Sequence, residues 1–534
     1  MSDKKAKDII RRFEQMKRIR DQWESLWQDV KDYVRPVTND FNYQSVRGER
    51  QTDKIFDSTA PWSLEQLAAG LNSYLTSPTS RWFNLRLVHR DRLSDEELLY
   101  LELVSDIVFH QYSLPKTNFS PSIHEMYMDL GAFGTGVLYQ DFDMGSRHVK
   151  FLSHPLSDCH IAENSDGMVD TVGRCRRMTA LQMRHRFGED ALPADVAKSL
   201  VAEPDREFEV LHMVFPKADA DVYGMSGGKE FVSAWILLAD QSIISIGGYD
   251  SFPYHVPRWT KLSGQTYGRS PAMTCLPSIL MVNMMGKTII KAAQKIVDPP
   301  IIVDNDGVIL PLKTAPGSLM YKEPGANPPI PFETRGRVDI GVDLISMHQN
   351  FITKSFYVDW ILREKKRERQ TTTEIADDRE EILRQMAPML GRIQTEALGP
   401  MISRTLDLLA RNNMLPIPPA SLEGEEYEVS YISPAAMAQF GGKAIAIQRF
   451  VQDAAQLASV MPQVMDKLDP DRLVEEMALH RDVSRKVLRS QAAVDQMRQQ
   501  REQQAQAQQQ LAMGEQLSGA LKNASVAQKN FEGM

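Results

Sequence analysis

SPAMTCLPSILMVNMMGKTIIKAAQKIVDPP, from Ser270 to Pro300, is the stretch on which the fold turns. Ser270 and Pro271 supply a helix start, because a serine side chain can cap free amides and proline suits a first turn. Pro299 and Pro300 supply the stop, and Pro277 reads as a first-turn restart or a kink. The next block, IIVDNDGVILPLKTAPGSLMYKEPGANPPIPFE, is dense in Pro and Gly with short β-prone runs, so it reads as a small extended lobe. A second helix over residues 337–362 brings the chain back. The pair predicts a long helical hairpin carrying a small lobe at its tip.

Upstream, Ile9, Phe13, Met16, Trp23, Trp27, Val30 and Val34 recur at spacings of three, four or seven, the pattern of one amphipathic helix over residues 5–34. A second helix follows Pro61 and carries Leu64, Leu67, Leu71 and Leu75 on one side. Ser94 with Glu97 forms a capping box and opens a third helix, expected to end near Tyr112. NFSPSIHEMYMDLGAFG repeats the design with a polar cap, Pro121 in the first turn and closing glycines. From Val137 to Trp259 the texture changes to short β-rich pieces: VLYQDFD, HVKFL, MVDTVGRC, EFEVLHMVF and the hairpin-like EFVSAWILLADQSIISIGGY. One brief helix, TALQMRHRFG, interrupts them.

Downstream, Ile382, Met386, Leu390, Ile393, Ala397 and Met401 form the stripe of a helix reaching about Asn412. Pro388 and Gly399-Pro400 fall inside it and predict bends, since proline removes an intrahelical hydrogen bond. YEVSYIS reads as a short strand, followed by helices from Pro434 onward. The Gln- and Ala-rich end reads equally as an assembled helix or a disordered tail. The fold class is α+β, mainly helical.

A chain of 534 residues exceeds one hydrophobic core, so several layers or domains are expected. Its 42% hydrophobic and 25% charged residues are those of a soluble globular protein, with no uncharged apolar run of about 18 residues and no apolar signal-peptide centre at the start. No membrane association and a cytoplasm-like compartment are expected. Cys159, Cys175 and Cys275 are too few, and wrongly spaced, for a disulfide framework or a zinc site. A net charge of -8 argues against a surface that grips nucleic acid everywhere, so any contact with DNA must be local.

Several motifs have plain readings. GAFGTG (131–136) has a helix before it and a strand after, the reverse of a dinucleotide fingerprint, so its glycines read as a tight exit from a helix. His148, His154, Cys159, His160, Cys175 and His185 match no metal template, and no nucleophile elbow or Walker lysine motif is present. No cofactor, metal or enzymatic activity is expected. Lys287, Lys291 and Lys295 recur every four residues along one helix face, which in a lone subunit is a solvated stripe.

The abrupt feature is a swing of charge. Five basic residues fill seven positions at Arg363, Lys365, Lys366, Arg367 and Arg369, and five acids then fill eight positions from Glu374 to Glu381. The acids suit the positive end of a helix dipole. The basic half pairs like with like at i to i+4 and therefore reads as a loop that needs an outside polyanion or the acids of a neighbouring subunit.

The order of these elements, carried by DSTAPWSLEQLAAGLNSYLTSPTSRWFNL, DLGAFGTGVLYQ, RWTKLSGQTYGRSPAMTCLPSILMVNMM and ERQTTTEIADDREEILRQMAPMLGRIQTEALGPMISRTL, resembles the portal, or head-to-tail connecting, proteins of short-tailed double-stranded DNA bacteriophages. The resemblance covers about Lys5 to Asn412. It implies a homododecameric ring at one capsid vertex, a channel for genome packaging and ejection. By position it implies a wing at 1–265, stem helices at 266–297 and 337–362, a clip at 298–336 and a channel loop at 363–373. A kinked wing helix and return strand would follow at 374–430, crown helices at 431–490 and a barrel helix or disordered tail at 491–534. Arg363, Lys365, Lys366, Arg367 and Arg369 would then touch passing duplex, with Lys287, Lys291 and Lys295 facing the lumen or the next subunit. The implied partners are the terminase large subunit, tail adaptor proteins, and major capsid and scaffolding proteins, in the virion and, during assembly, the host cytoplasm. A nucleic-acid-processing enzyme and another virion structural protein are the rival readings. The first lacks a metal-binding carboxylate set or phosphate loop, and to the second the lobed hairpin would be foreign.

Overall fold

The amphipathic stripe at the start forms α1 (Ser2–Val34), one unbroken helix whose apolar face is buried along its length. A computed structural model describes residues 2–41, 51–88, 93–222, 228–302, 339–361 and 386–432 apart from residue 423, with shorter pieces between 324 and 332 and between 442 and 508. Two compact units emerge. The first comprises residues 1–84, 105–416 and 429–439, the second 85–104, 417–428 and 440–534, so the division falls within three elements: α3 (Asp95–Ser113), β1 (Phe83–Leu87) and β12 (Tyr427–Tyr431).

In the first unit, α2 (Thr59–Leu75) packs against α4 (Phe119–Phe133). Gly131 makes this possible, since a Cβ there would stand 2.7 Å from Leu64 Cδ1. Gly134 ends α4 in the left-handed region at φ 76° and donates to Leu130 O at 3.0 Å. The glycines of 131–136 thus serve close helix packing as well as the expected turn.

The β-rich third makes two antiparallel sheets. One has order β3-β2-β9, with β2 (Leu138–Asp143), β3 (His148–Ser153) and β9 (Tyr254–His255). The other follows chain order, β4 (Cys159–Glu163), β5 (Val169–Thr179), β6 (Glu207–Pro216), β7 (Phe231–Leu237) and β8 (Ser242–Tyr249). Side chains alternate between faces along a strand, so each face has its own cover. Ala6, Ile9, Phe13 and Met16 of α1 lie on Leu211, Met213, Phe215, Ala234 and Ile236. On the opposite face α5 (Ala180–Phe187) and α6 (Ala194–Ala202) bring Met183 and Val196 onto Phe208, Val210, Trp235 and Leu237. A full capping box between Thr179 and Gln182 starts α5, and a short α7 (Lys217–Val222) follows β6. Neither β4 nor α6 was legible, because CHIAE and ADVAKSLVA are too short to show a period.

The decisive stretch forms α8 (Pro271–Val297), capped by Ser270, whose hydroxyl accepts from Met273 N at 3.0 Å. Pro277 neither restarts nor breaks it. The returning helix α9 (Asp339–Ser355) packs along α8, but it does not run to 362 as expected. The chain turns at Tyr357, φ 57°, and continues as a short helix, α10 (Val358–Ile361). Of the expected lobe, β10 (Ile301–Ile302) pairs antiparallel with β11 (Ile330–Pro331). The rest of the lobe, the basic run 363–369 and the acidic run 374–381 lie outside the described residues.

The expected bend at Gly399-Pro400 takes a specific form. Helix α11 (386–393) passes into a π-turn, Gln394–Leu398, and then into α12 (Gly399–Arg411). Pro400 lacks the amide an α-helix needs, and the widened turn absorbs the mismatch without a break. Gln394 O receives both Gly399 N and, at 3.1 Å, the Tyr431 hydroxyl. Pro388 sits in the first described turn and leaves α11 intact.

In the second unit Ser94 and Glu97 exchange both bonds of the expected capping box, Ser94 N to Glu97 Oε2 at 2.7 Å and Glu97 N to Ser94 Oγ at 3.3 Å. Helices Gly442–Val460 and Pro470–His480 pack together, and Arg498, in a helical piece at 493–506, forks onto Asp471 at 2.6 and 2.7 Å.

Candidate functional site

The α8/α9 hairpin is fastened at one end and bare at the other. Pro271, Ala272, Cys275, Leu276, Ile279, Val282 and Asn283 are buried on α8, which packs on α1, α2 and α4. Asn283 is the latch. Its amide nitrogen donates to Ile279 O at 2.9 Å, which frees Oδ1 to accept from Phe56 N at 2.8 Å and Asp57 N at 3.1 Å. Gln349 of α9 donates to Asp57 Oδ2 at 2.6 Å, so one connector ties down both helices. His348 and Ser278 meet across the hairpin at 3.3 Å.

Beyond Asn283 no residue of α8 is buried. Lys287, Lys291 and Lys295 are all exposed on this half, as their spacing predicted. They are not equivalent, because Lys287 Nζ lies 5.4 Å from the centre of the Phe56 ring, a cation–π contact. Lys291 and Lys295 pair with no carboxylate among the described residues. Around them Met284 is 69% exposed, Ile296 55%, Val342 50% and Met347 58%, an apolar density unusual for a free surface. By length and composition α8 is long and apolar enough to cross a membrane, contrary to the expectation that no stretch would be. A helix docked on a protein core can be equally apolar, and the buried first half and its asparagine latch account for α8 on that basis.

The helix that follows the basic run is anchored by a buried ionic network that the sequence reading missed. Arg258 is fully buried, and its backbone N, Nε and Nη2 reach the Glu396 carboxylate at 2.9, 3.1 and 2.7 Å. Arg392 adds a contact to Glu396 at 3.2 Å. Arg258 also pairs with Glu163 and donates to Gly167 O at 2.8 Å, and Lys261 meets Glu163 at 2.6 Å. Glu396 lies in the π-turn, so the network anchors the irregular turn itself. The signal was present as a glutamate beside the apolar stripe of Ile393, Ala397 and Met401.

The His and Cys residues fall apart as a set. His154 contacts Arg174 at 2.9 Å, while His160 contacts Arg20 at 3.3 Å and packs edge-on to Phe13. Burial pushes the Cys159 and Cys275 thiols up to about 12 and that of Cys175 to about 11, so none is poised as a nucleophile. Among the described residues no three His, Cys, Asp or Glu side chains are grouped to hold a metal.

The family model for the bacteriophage head to tail connecting protein matches residues 6–488. A "Probable portal protein" of Bordetella phage BPP-1 is 30% identical over 525 residues, covering 95% of this chain and 92% of that protein. A "Portal protein" of Salmonella phage epsilon15 is 29% identical over 558 residues, covering 99% and 97%. Among solved structures, a chain of the "Virion of native gene transfer agent (GTA) particle" aligns at a TM-score of 0.38 and 13% identity, over 80% of this chain and 94% of that one.

Proposed function

We propose that this chain, which belongs to the family of bacteriophage head to tail connecting proteins, forms a dodecameric ring that serves as the channel for packaging and ejecting a double-stranded genome. The observation that carries the reading is the bare half of the α8/α9 hairpin. Met284, Ile296, Val342 and Met347 would be covered only in an assembly, and further copies of the same hairpin supply matching apolar surface. In this reading the hairpin is the stem, 298–336 the clip and 363–373 the channel loop. Residues 1–265 and 374–430 build the wing, and 431–534 the crown and its extension.

A ring turns each basic residue into a collar. Duplex DNA carries one charge per about 1.7 Å of axis, and roughly six to ten simultaneous phosphate contacts already make binding steeply salt-dependent. A channel for moving DNA needs fewer and briefer contacts. Arg363, Lys365, Lys366, Arg367 and Arg369 supply a narrow one in a chain of net charge -8. Lys291 and Lys295 are free to face the lumen or a neighbour, whereas Lys287 is partly engaged by Phe56. The subunit has a structural role in the virion, with the terminase large subunit, tail adaptors, major capsid and scaffolding proteins as its partners.

Changing the five basic loop residues to Ala tests the assignment. Rings should still assemble, while packaging or DNA retention changes and the salt dependence of DNA binding becomes shallower. Failure of ring assembly would instead make the run an ion-pair element between subunits.

A further inference from the structure

We infer that Arg174, Arg176 and Arg186 form a receptor for a small phosphate-type oxyanion on the α5 face of the five-stranded sheet. Arg174 and Arg176 stand two residues apart on β5, on one face and about 6.6 Å apart along the strand. Met178 continues that face into the apolar cluster under α5 and α6, so the arginines occupy the end where the apolar cover stops. Across the ladder His212 lies opposite Arg174, and Trp235 opposite His212. The His212 ring stacks on Trp235 at 4.0 Å, and Arg186, reaching back from α5, lies 4.3 Å from the same indole. Trp235 is therefore the floor that brings the third guanidinium to the other two.

The donors are not used up internally. Arg174 contacts His154 Nε2 at 2.9 Å, but its Nε is buried without a hydrogen-bond partner. Arg176 is half-buried, its Nε is likewise buried and unpartnered, and it has no ion pair with a described residue. Two orphaned guanidinium nitrogens on adjacent same-face positions are a costly arrangement for a protein to keep unless something accepts from them. The neighbouring histidines do not answer the charge. Burial, and then the arginines, hold His154 and His212 well below the usual imidazole range, so both are neutral. Asp158 feels Arg174 and acts on Arg176 electrostatically, yet it accepts from the Ser157 hydroxyl at 3.2 Å and makes no direct ion pair with either strand arginine. Burial, followed by Arg174 and Arg186, also lowers the Arg176 pKa, and the opposing pull of the one nearby carboxylate, Asp158, does not reverse it, as expected of three crowded cations with too little counter-charge.

Three guanidinium forks match a multivalent, tetrahedral oxyanion better than a single carboxylate, which would leave most of the charge uncompensated. The buried position of both Nε atoms favours a small anion, free phosphate or a terminal phosphomonoester, over a duplex backbone phosphate flanked by sugars. This site uses no residue of the proposed channel loop, and the proposal stands or falls independently of that assignment.

The test is thermal unfolding of the full chain with inorganic phosphate at constant ionic strength made up with sodium chloride. A saturable rise in Tm is expected for the native protein, because a ligand of the folded state stabilises it by mass action. In Arg176→Gln the phosphate midpoint should rise at least about tenfold, and Arg186→Gln should weaken it less. Should Arg176→Gln not fold, Arg176→Lys keeps the charge, loses the fork and should still bind more weakly. Phosphorus-31 line broadening with the native protein reads binding without any variant. A blunt duplex without terminal phosphates should leave the phosphate midpoint unchanged. Competition by that duplex, absence of saturation, or equal responses in the native and substituted proteins would overturn the proposal.

Discussion

His255 shows how far a single buried group can shape the behaviour of the chain. Its Nε2 donates to Gln140 Oε1 at 2.7 Å, Gln140 donates to Thr405 at 2.8 Å, and Thr405 meets the Tyr112 hydroxyl at 2.8 Å. Nδ1 has no partner, and burial, followed by Arg404, lowers the His255 pKa to about 3. A base depressed from 6.5 contributes its stability above about pH 6.5 and loses it as the pH falls toward 3. Between pH 7 and pH 5 this amounts to about 2 kcal/mol. Asp129 has the opposite sign. Burial, partly offset by Arg35, raises it to about 6, so its contribution falls as pH rises from about 4 to 6. His255→Gln should lower stability at pH 7 but make urea midpoints at pH 7 and pH 5 differ less than in the native protein. An equal difference would remove His255 from the acid limb. The Arg258–Glu396 pair makes a second residue-scale prediction. Arg258→Met strands a buried carboxylate and should cost about 3–5 kcal/mol in chemical unfolding, while adding Glu396→Met should recover part of the loss.

At the scale of elements, function rests on helices whose ends are fixed by single side chains. Asn283→Ala leaves the Phe56 and Asp57 amides without their acceptor and should cost about 1–3 kcal/mol, with earlier hydrogen exchange at residues 55–57. Unchanged exchange there would show that the connector is held by other contacts. Long periodic elements were legible in advance. The stripes of α1 and α2, the Ser94–Glu97 box and the Ser270-Pro271 start all stand where spacing placed them. Departures arose where tertiary contacts override local rules. Pro277 is carried inside a continuous helix, and Tyr357 turns left-handed where nothing in FITKSFYVDW announces a stop. The π-turn at Gln394–Leu398 shares its first carbonyl between Gly399 N and the Tyr431 hydroxyl, a partner far along the chain that the local sequence does not announce. Arg258, Glu396 and the β5 arginines were equally hidden, since partners such as Glu163 and Arg186 become neighbours only through sheet register and helix return.

At the scale of the whole molecule, the proposed ring would account for the bare half of the hairpin. A lone copy exposes apolar side chains along the free half of α8 and α9 beside three lysines, and a net charge of -8 would repel DNA except at a local cationic band. Lys291→Glu with Lys295→Glu separates the two roles left open for the stripe. If it faces the lumen, rings persist and DNA retention falls; if it faces a neighbour, rings weaken. Electron microscopy of the purified full-length protein, with copies counted around any central hole and residues 363–369 located in the map, tests the central claim most directly. The account predicts a closed ring with that basic segment lining the pore, and a poreless single copy, or a ring with the segment on its outer rim, would contradict it.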